Sequence, residues 1–112
     1  MDELDEPRTE LVKPGILKIQ PRADLLKANN PGQVKTEDPI LIVHSQADDV
    51  VPIALSGILF HRLCGLGQNV DRVVLDKGQG HIQAAPDAYK LGIEWMQKRF
   101  DGEPAVSTCP TK

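Results

Sequence analysis

The sequence predicts an α/β protein of order βαβα, with two parallel strands and flanking helices behind an irregular N-terminal arm. The continuous aliphatic run Ile40-Leu41-Ile42-Val43 has the composition of a strand buried on both faces of a parallel sheet, and Val70 to Leu75 reads as the second strand. Each run is followed by apolar residues at helical spacing, and a strand, helix, strand order of this kind joins parallel strands through a right-handed crossover. Prolines set the arm apart: Pro7, Pro14, Pro21 and Pro31 fall within residues 1–38, and Pro39 follows.

In that arm, regular structure must be short. A helical turn or two is expected around Asp24-Leu25-Leu26-Lys27-Ala28, with Asp24 near its start, and Asn29-Asn30-Pro31-Gly32 then forces a turn. The arm reads as a connector whose first twenty residues are mobile in isolation. Residues 39–101 form the βαβα segment. Val51-Pro52 opens its first helix, with Pro52 suited to the first turn; Leu55, Ile58, Leu59 and Leu63 mark the apolar side, and Gly65 and Gly67 end it. After the second strand, Lys77-Gly78-Gln79-Gly80-His81 is a flexible crossing. Ala84 to Phe100 supplies a longer helix with Ala88, Leu91, Trp95 and Phe100 on one side, and residues 102–112 are a tail.

Composition narrows the function classes. The chain has 112 residues, is 40% hydrophobic and only 4% aromatic, so one small domain packed by aliphatic side chains is expected. A formal charge of -3 without a Lys/Arg block argues against nucleic acid as a partner. No apolar run approaches the roughly 18 residues of a membrane span, and the acidic opening Met1-Asp2-Glu3-Leu4-Asp5-Glu6 is unlike a signal peptide. Cys64 and Cys109 are compatible with one disulfide, or with two unpaired thiols. In an oxidising compartment a link over about 45 residues would add roughly 3–4 kcal/mol by loop entropy.

Chemistry concentrates after the two strands. Ligands of open parallel sheets gather beyond the carboxyl ends of the strands, and neighbouring strands lie about 4.8 Å apart. Asp48 and His81 each follow such an end, so they can meet despite their separation in sequence. Taken alone, Asp48 reads as a solvated helix-capping carboxylate and His81 as an exposed loop histidine. His44 reads as a satisfied strand-end histidine, and His61 within a helix needs no role. A metal set of His44, Asp48, Asp49 and His81 is not enforced by the spacing, and no cofactor is expected. Ser45, Ser56 and Ser107 are the only serines, and none sits in a Gly-x-Ser-x-Gly elbow. Cys64, mid-helix among apolar residues, has the setting of an inert thiol.

Pro39 to Arg99 resembles the last βαβα segment of an α/β-hydrolase, in which an Asp-x-x-Val-Pro phrase precedes a Gly-His. Asp48-Asp49-Val50-Val51-Pro52 and Gly80-His81 are the matching residues. Together with Asn30-Pro31-Gly32, Leu63-Cys64-Gly65, Trp95, Arg99-Phe100-Asp101-Gly102-Glu103-Pro104 and Cys109, they resemble the carboxyl end of the secretory lipases, the lipase-A-like serine esterases. Ser45 departs from the pattern, since many relatives have Gly there. The resemblance implies that Asp48 is the acid that orients His81, and that His81 is the base that takes a nucleophile's proton. Asp49, off the spacing, is then a polar neighbour or cap.

Those implications make the chain the C-terminal part of a secreted ester hydrolase acting on acylglycerols. The remainder of the hydrolase fold would supply the nucleophile, and the chain alone would be inactive. An alternative is a small non-catalytic α/β domain that binds a protein partner, and Asp48-Asp49 after a strand also admits a receiver-like metal or phosphate site. Exposed apolar patches favour the first, a closed polar surface the second.

Overall fold

The structure is a computed structural model that describes residues 12–111. Residues 1–11, which include much of the stretch expected to be mobile, lie outside the described residues. Two compact units divide between Pro31 and Gly32. In the first, a 3-10 turn, Ile16–Lys18, follows Gly15 at φ 72, where glycine meets no Cβ penalty. Helix α1, Arg22–Ala28, comes next. Asp24 sits in its first turn rather than at its cap, where it accepts from the Gln20 amide group while its own N–H donates to Gln20 Oε1. Asn29 closes the helix by donating its side-chain amide to Leu25 O at 2.8 Å.

The second unit has strand β1, Ile40–Ser45, helix α2, Ile53–Gly65, strand β2, Val70–Leu75, and helix α3, Ala85–Phe100. The strands pair in parallel, in a register running from Ile40 opposite Val70 to Ser45 opposite Leu75. Beyond Val43, the strand continues through His44 and Ser45, because Gln46 N–H still donates to Leu75 O at 2.8 Å and extends the ladder. Alternation of side chains puts Ile40, Ile42 and His44 on the face that α2 covers. Phe60, Leu63 and Val70 form the buried core there, with Ile40, Ile42, Leu59 and Cys64 packed around it. Arg72 shares that face, its guanidinium turned onto the first turn of α2.

Helix boundaries follow backbone chemistry. Pro52, with ψ 134, is the N-cap outside α2 rather than its first residue. Gly65 is still helical, and the stop is Gly67 at φ 77: Gln68 N–H donates to Leu63 O and Gly67 N–H to Cys64 O, a Schellman closure that needs the left-handed residue. Gly102 ends α3 in the same way, with Glu103 N–H on Lys98 O. In α3, Phe100 does not share the side of Ala88, Leu91 and Trp95, because a five-residue step turns it about 140° away. It is 84% exposed, in a stripe with Tyr89, Ile93 and Met96 that is also exposed.

Buried Gln68 fixes the approach to β1, accepting from Thr36 N–H and donating to Asp38 O, both at 2.8 Å. The tail covers the first half of the outer edge of β2. Thr108 N–H and Ser107 Oγ both donate to Val70 O at 3.0 Å, and Arg72 N–H donates to Thr108 Oγ1 at 2.9 Å. Cys109 is bonded to Cys64, with a Cα–Cα distance of 5.6 Å, which ties that tail to α2. β1 has no such cover: its outward backbone groups at Leu41 and Val43 meet no strand among the described residues. No helix among the described residues is long and apolar enough to cross a membrane.

Candidate active site

The site is built where both strands end. After β1 the chain turns sharply, and the Asp48 carboxylate folds back on its own loop. Its Oδ1 accepts Val50 N–H at 2.9 Å and Val51 N–H at 2.7 Å. An aspartate satisfying amides two and three residues ahead is the usual device for such a turn. Those amides precede α2, so Asp48 does not cap the helix, and at 6% exposure its side chain is not solvated. The other oxygen, Oδ2, lies 2.8 Å from His81 Nδ1. Burial pushes the Asp48 carboxyl up, but the Val51 amide, the His81 ring and the Val50 amide outweigh it and hold the group well below the usual carboxylate range. An ionised carboxylate only accepts, so His81 Nδ1 carries the hydrogen.

His81 is held at two points. Its ring rests on Asp48, and its backbone N–H donates to Asp49 Oδ1 at 2.9 Å. The His81 amide and Asp49's own backbone N–H keep the Asp49 carboxyl below its ordinary value. Neighbouring aspartates therefore divide the work, one holding the ring and the other the backbone. Gly80 permits the approach, since a Cβ there would stand 3.0 Å from Asp49 Oδ1. Gly80 N–H donates to Gln83 Oε1 at 2.9 Å, and Ser45 Oγ donates to Gln79 O, tying the end of β1 to this loop. Ser45 thus adds a tie that glycine could not make. Farther along, Gln79 and then Lys77 bond Asp87 and hold its carboxyl below the ordinary range.

With Nδ1 committed, Nε2 of His81 meets no hydrogen-bonding group among the described residues, and the side chain is 40% exposed. A shallow cavity of about 210 Å³ lies beside it, lined by Asp49, Val50, Gly80, His81, Ile82 and Gln83. Chemically, such a pair can withdraw a proton at Nε2 and stabilise the resulting imidazolium. None of the three serines stands ready to lose that proton to His81. Ser45 is bound to Gln79 O, Ser107 to Val70 O, and Ser56 lies within α2 in contact with His44 and Arg72.

The sequence pattern of the secretory lipase family matches residues 5–108. The chain belongs to that family. Among its relatives, Lipase 1 of Candida albicans is 30% identical over 99 residues, covering 85% of this chain and 21% of its own length. Lipase 10 of the same organism is 28% identical over 71 residues, covering 63% of this chain and 15% of its own. Lipase 5, also from Candida albicans, is 29% identical over 77 residues, covering 69% and 17%. This secretory lipase chain therefore spans about a fifth, or less, of the length of those relatives.

One participant of the candidate site is not evident from the secretory lipase chain's sequence. His44 reads there as a strand-end histidine, yet its Nε2 lies 3.3 Å from the same Asp48 Oδ2 that meets His81. The signal was its parity with Ile40 and Ile42, which aims it at α2, and its place four residues before Asp48. No group of three or more His, Cys, Asp or Glu side chains among the described residues has the arrangement of a metal site.

Proposed function

We propose that the chain is the C-terminal part of a secreted carboxylic ester hydrolase with the α/β-hydrolase fold, to which it contributes the acid Asp48 and the base His81. The reading rests on one observation above all: the 2.8 Å contact of His81 Nδ1 with a buried carboxylate, which leaves Nε2 turned to an open cavity. The nucleophile is a serine from the remainder of the longer protein. As its Oγ attacks the ester carbonyl carbon, His81 Nε2 takes the hydroxyl proton, and Asp48 stabilises the imidazolium. His81 then returns the proton to the leaving alkoxide, and the alcohol departs. Water attacks the acyl-enzyme by the same route and releases the acid.

Two features support completion by the rest of a longer fold. The uncovered edge of β1 offers Leu41 and Val43 to a further parallel strand. The exposed stripe Tyr89, Ile93, Met96 and Phe100 has the spacing of a helix face meant to be covered. Membership of a lipase family supports acylglycerols as the ester substrates, and exposed Val50 and Ile82 beside His81 would receive the hydrocarbon of such an ester. Secretion agrees with a bonded Cys64 and Cys109. The same apolar stripe weighs against the alternative, a non-catalytic domain that binds a protein partner, for which a closed polar surface is expected.

Turnover of a p-nitrophenyl ester separates these readings. A longer family lipase in which this segment replaces its counterpart should be active, and His81→Ala should lower kcat by at least about 10³-fold. The chain alone should not exceed free imidazole. Unchanged activity of the His81→Ala hybrid, or turnover by the chain alone that vanishes on that substitution, would overturn the proposal.

A further inference from the structure

We propose that His44 is a positioning residue for Asp48, its own orientation locked by Ser56 and Arg72. This rests on reading Asp48 and His81 as acid and base. The His44 side chain is 9% exposed, and both its ring nitrogens are engaged. Nε2 faces Val51 O at 3.0 Å and Asp48 Oδ2 at 3.3 Å. Both of those oxygens only accept, so Nε2 carries the hydrogen. Nδ1 lies 2.7 Å from Ser56 Oγ.

Arg72 decides the remaining proton. Its Nε and Nη2 both donate to Ser56 Oγ, at 3.1 and 3.0 Å, and these occupy the lone pairs of the hydroxyl. Ser56 is left with its own hydrogen to give, either to Ile53 O at 3.1 Å or to His44 Nδ1 at the shorter 2.7 Å. Nδ1 of His44 is therefore an acceptor, and one tautomer satisfies the whole chain of contacts from Arg72 through Ser56 and His44 to Asp48.

The network also closes a ring around the turn. Val51 N–H binds Asp48 Oδ1, Val51 O receives His44 Nε2, and His44 Nε2 also reaches Asp48 Oδ2. With His44 present, the carboxylate is fixed from both oxygens before His81 arrives. Without it, only the Val50 and Val51 amides on Oδ1 hold the carboxylate, and Oδ2 has His81 as its sole side-chain partner.

The test uses the full 112-residue chain, labelled with ¹⁵N, above about pH 8 where free imidazoles are neutral. Long-range ¹H–¹⁵N correlations report which nitrogen of each ring carries hydrogen. Wild type should show His44 as the Nε2–H form and His81 as the Nδ1–H form. In His44→Ala the His81 Nδ1–H population should fall below half, while His44→Gln should restore it, because Gln offers an N–H to Asp48 and a carbonyl to Ser56. Should His44→Ala fail to fold, Ser56→Ala applies the same test by removing the donor to His44 Nδ1, and His81 should again lose its single form. A folded His44→Ala or Ser56→Ala chain with His81 unchanged overturns the positioning role. Absence of the Nδ1–H form of His81 in wild type would instead overturn the Asp48–His81 pairing and both proposals with it.

Discussion

The loop after β1 and the loop after β2 carry one half each of the candidate relay, and they are held in opposite ways. Asp48 is anchored by its own surroundings: two amides of its loop on one oxygen, and the strand-end His44 on the other. His81 has no comparable local support. Its ring, its backbone amide and the preceding carbonyl of Gln79 are all bound by residues of the first loop or of β1, namely Asp48, Asp49 and Ser45. The acid is preorganised and the base borrows its order. A lesion in the first loop should therefore damage both halves, whereas a lesion in the second should leave Asp48 in place.

Substitutions graded along this dependence can break it. Asp48→Asn should have the largest effect: it keeps the shape of the turn but presents an amide where His81 needs an acceptor, so kcat of the active hybrid should fall by about 10⁴-fold with the wrong tautomer at His81. Steady-state kinetics with a soluble ester would check this, and a loss below tenfold would place the order of His81 elsewhere. Asp49→Ala frees the His81 amide without touching the ring contact. A decrease of about 10- to 100-fold in kcat, at nearly constant KM, is expected from misplacement alone. If it equals Asp48→Asn, the two aspartates act as one unit.

Ser45→Gly removes the tie to Gln79 O and leaves both carboxylates. Urea unfolding should register about 0.5–1.5 kcal/mol, the ordinary worth of one hydrogen bond, with a small change in rate. Acid provides a further measure. The folded Asp48 carboxyl lies below its ordinary 3.8, so its contribution to stability is complete above that value and is lost as pH falls below it toward the folded value. Thermal unfolding between pH 5 and pH 2, scales set by ordinary carboxylate titration at about 4, should show a shallower decline for Asp48→Asn than for wild type.

The βαβα order was legible because the aliphatic run Ile40–Val43 and the β-branched Val70, Val73 and Val74 each precede a stretch of helical apolar spacing, and because both strands end within a few residues of Asp48 and His81. Strand adjacency allowed those two side chains to meet, and the Asp-x-x-Val-Pro and Gly-His phrases singled them out. The role of His44 beside Asp48 is not legible in the sequence, since the partners that orient it, Ser56 on α2 and Arg72 on β2, come from different elements that only the three-dimensional crossing of strand and helix brings together. Buried Gln68 was invisible for a related reason: it serves two backbone groups of the 36–38 segment, about thirty residues away. Phe100 was misplaced because counting apolar residues overlooked a five-residue step. Gly65 and Gly67 look alike as stops in the sequence, although only the latter has the left-handed backbone that ends α2.

The covered start of β2 also bears on how the chain behaves in a crowd. Two bare edges would let strands of successive molecules add without limit, whereas a sheet with one covered side can pair with a single neighbour and then stops. That limit hangs on the tail, and the tail on the Cys64–Cys109 bond and three hydrogen bonds to Val70 and Arg72. Reduction should thus bare the start of β2 as well and speed strand addition, seen as light scattering that rises faster after thiol is added than before it. Redox state, through a residue far from the candidate chemistry, would then set solubility.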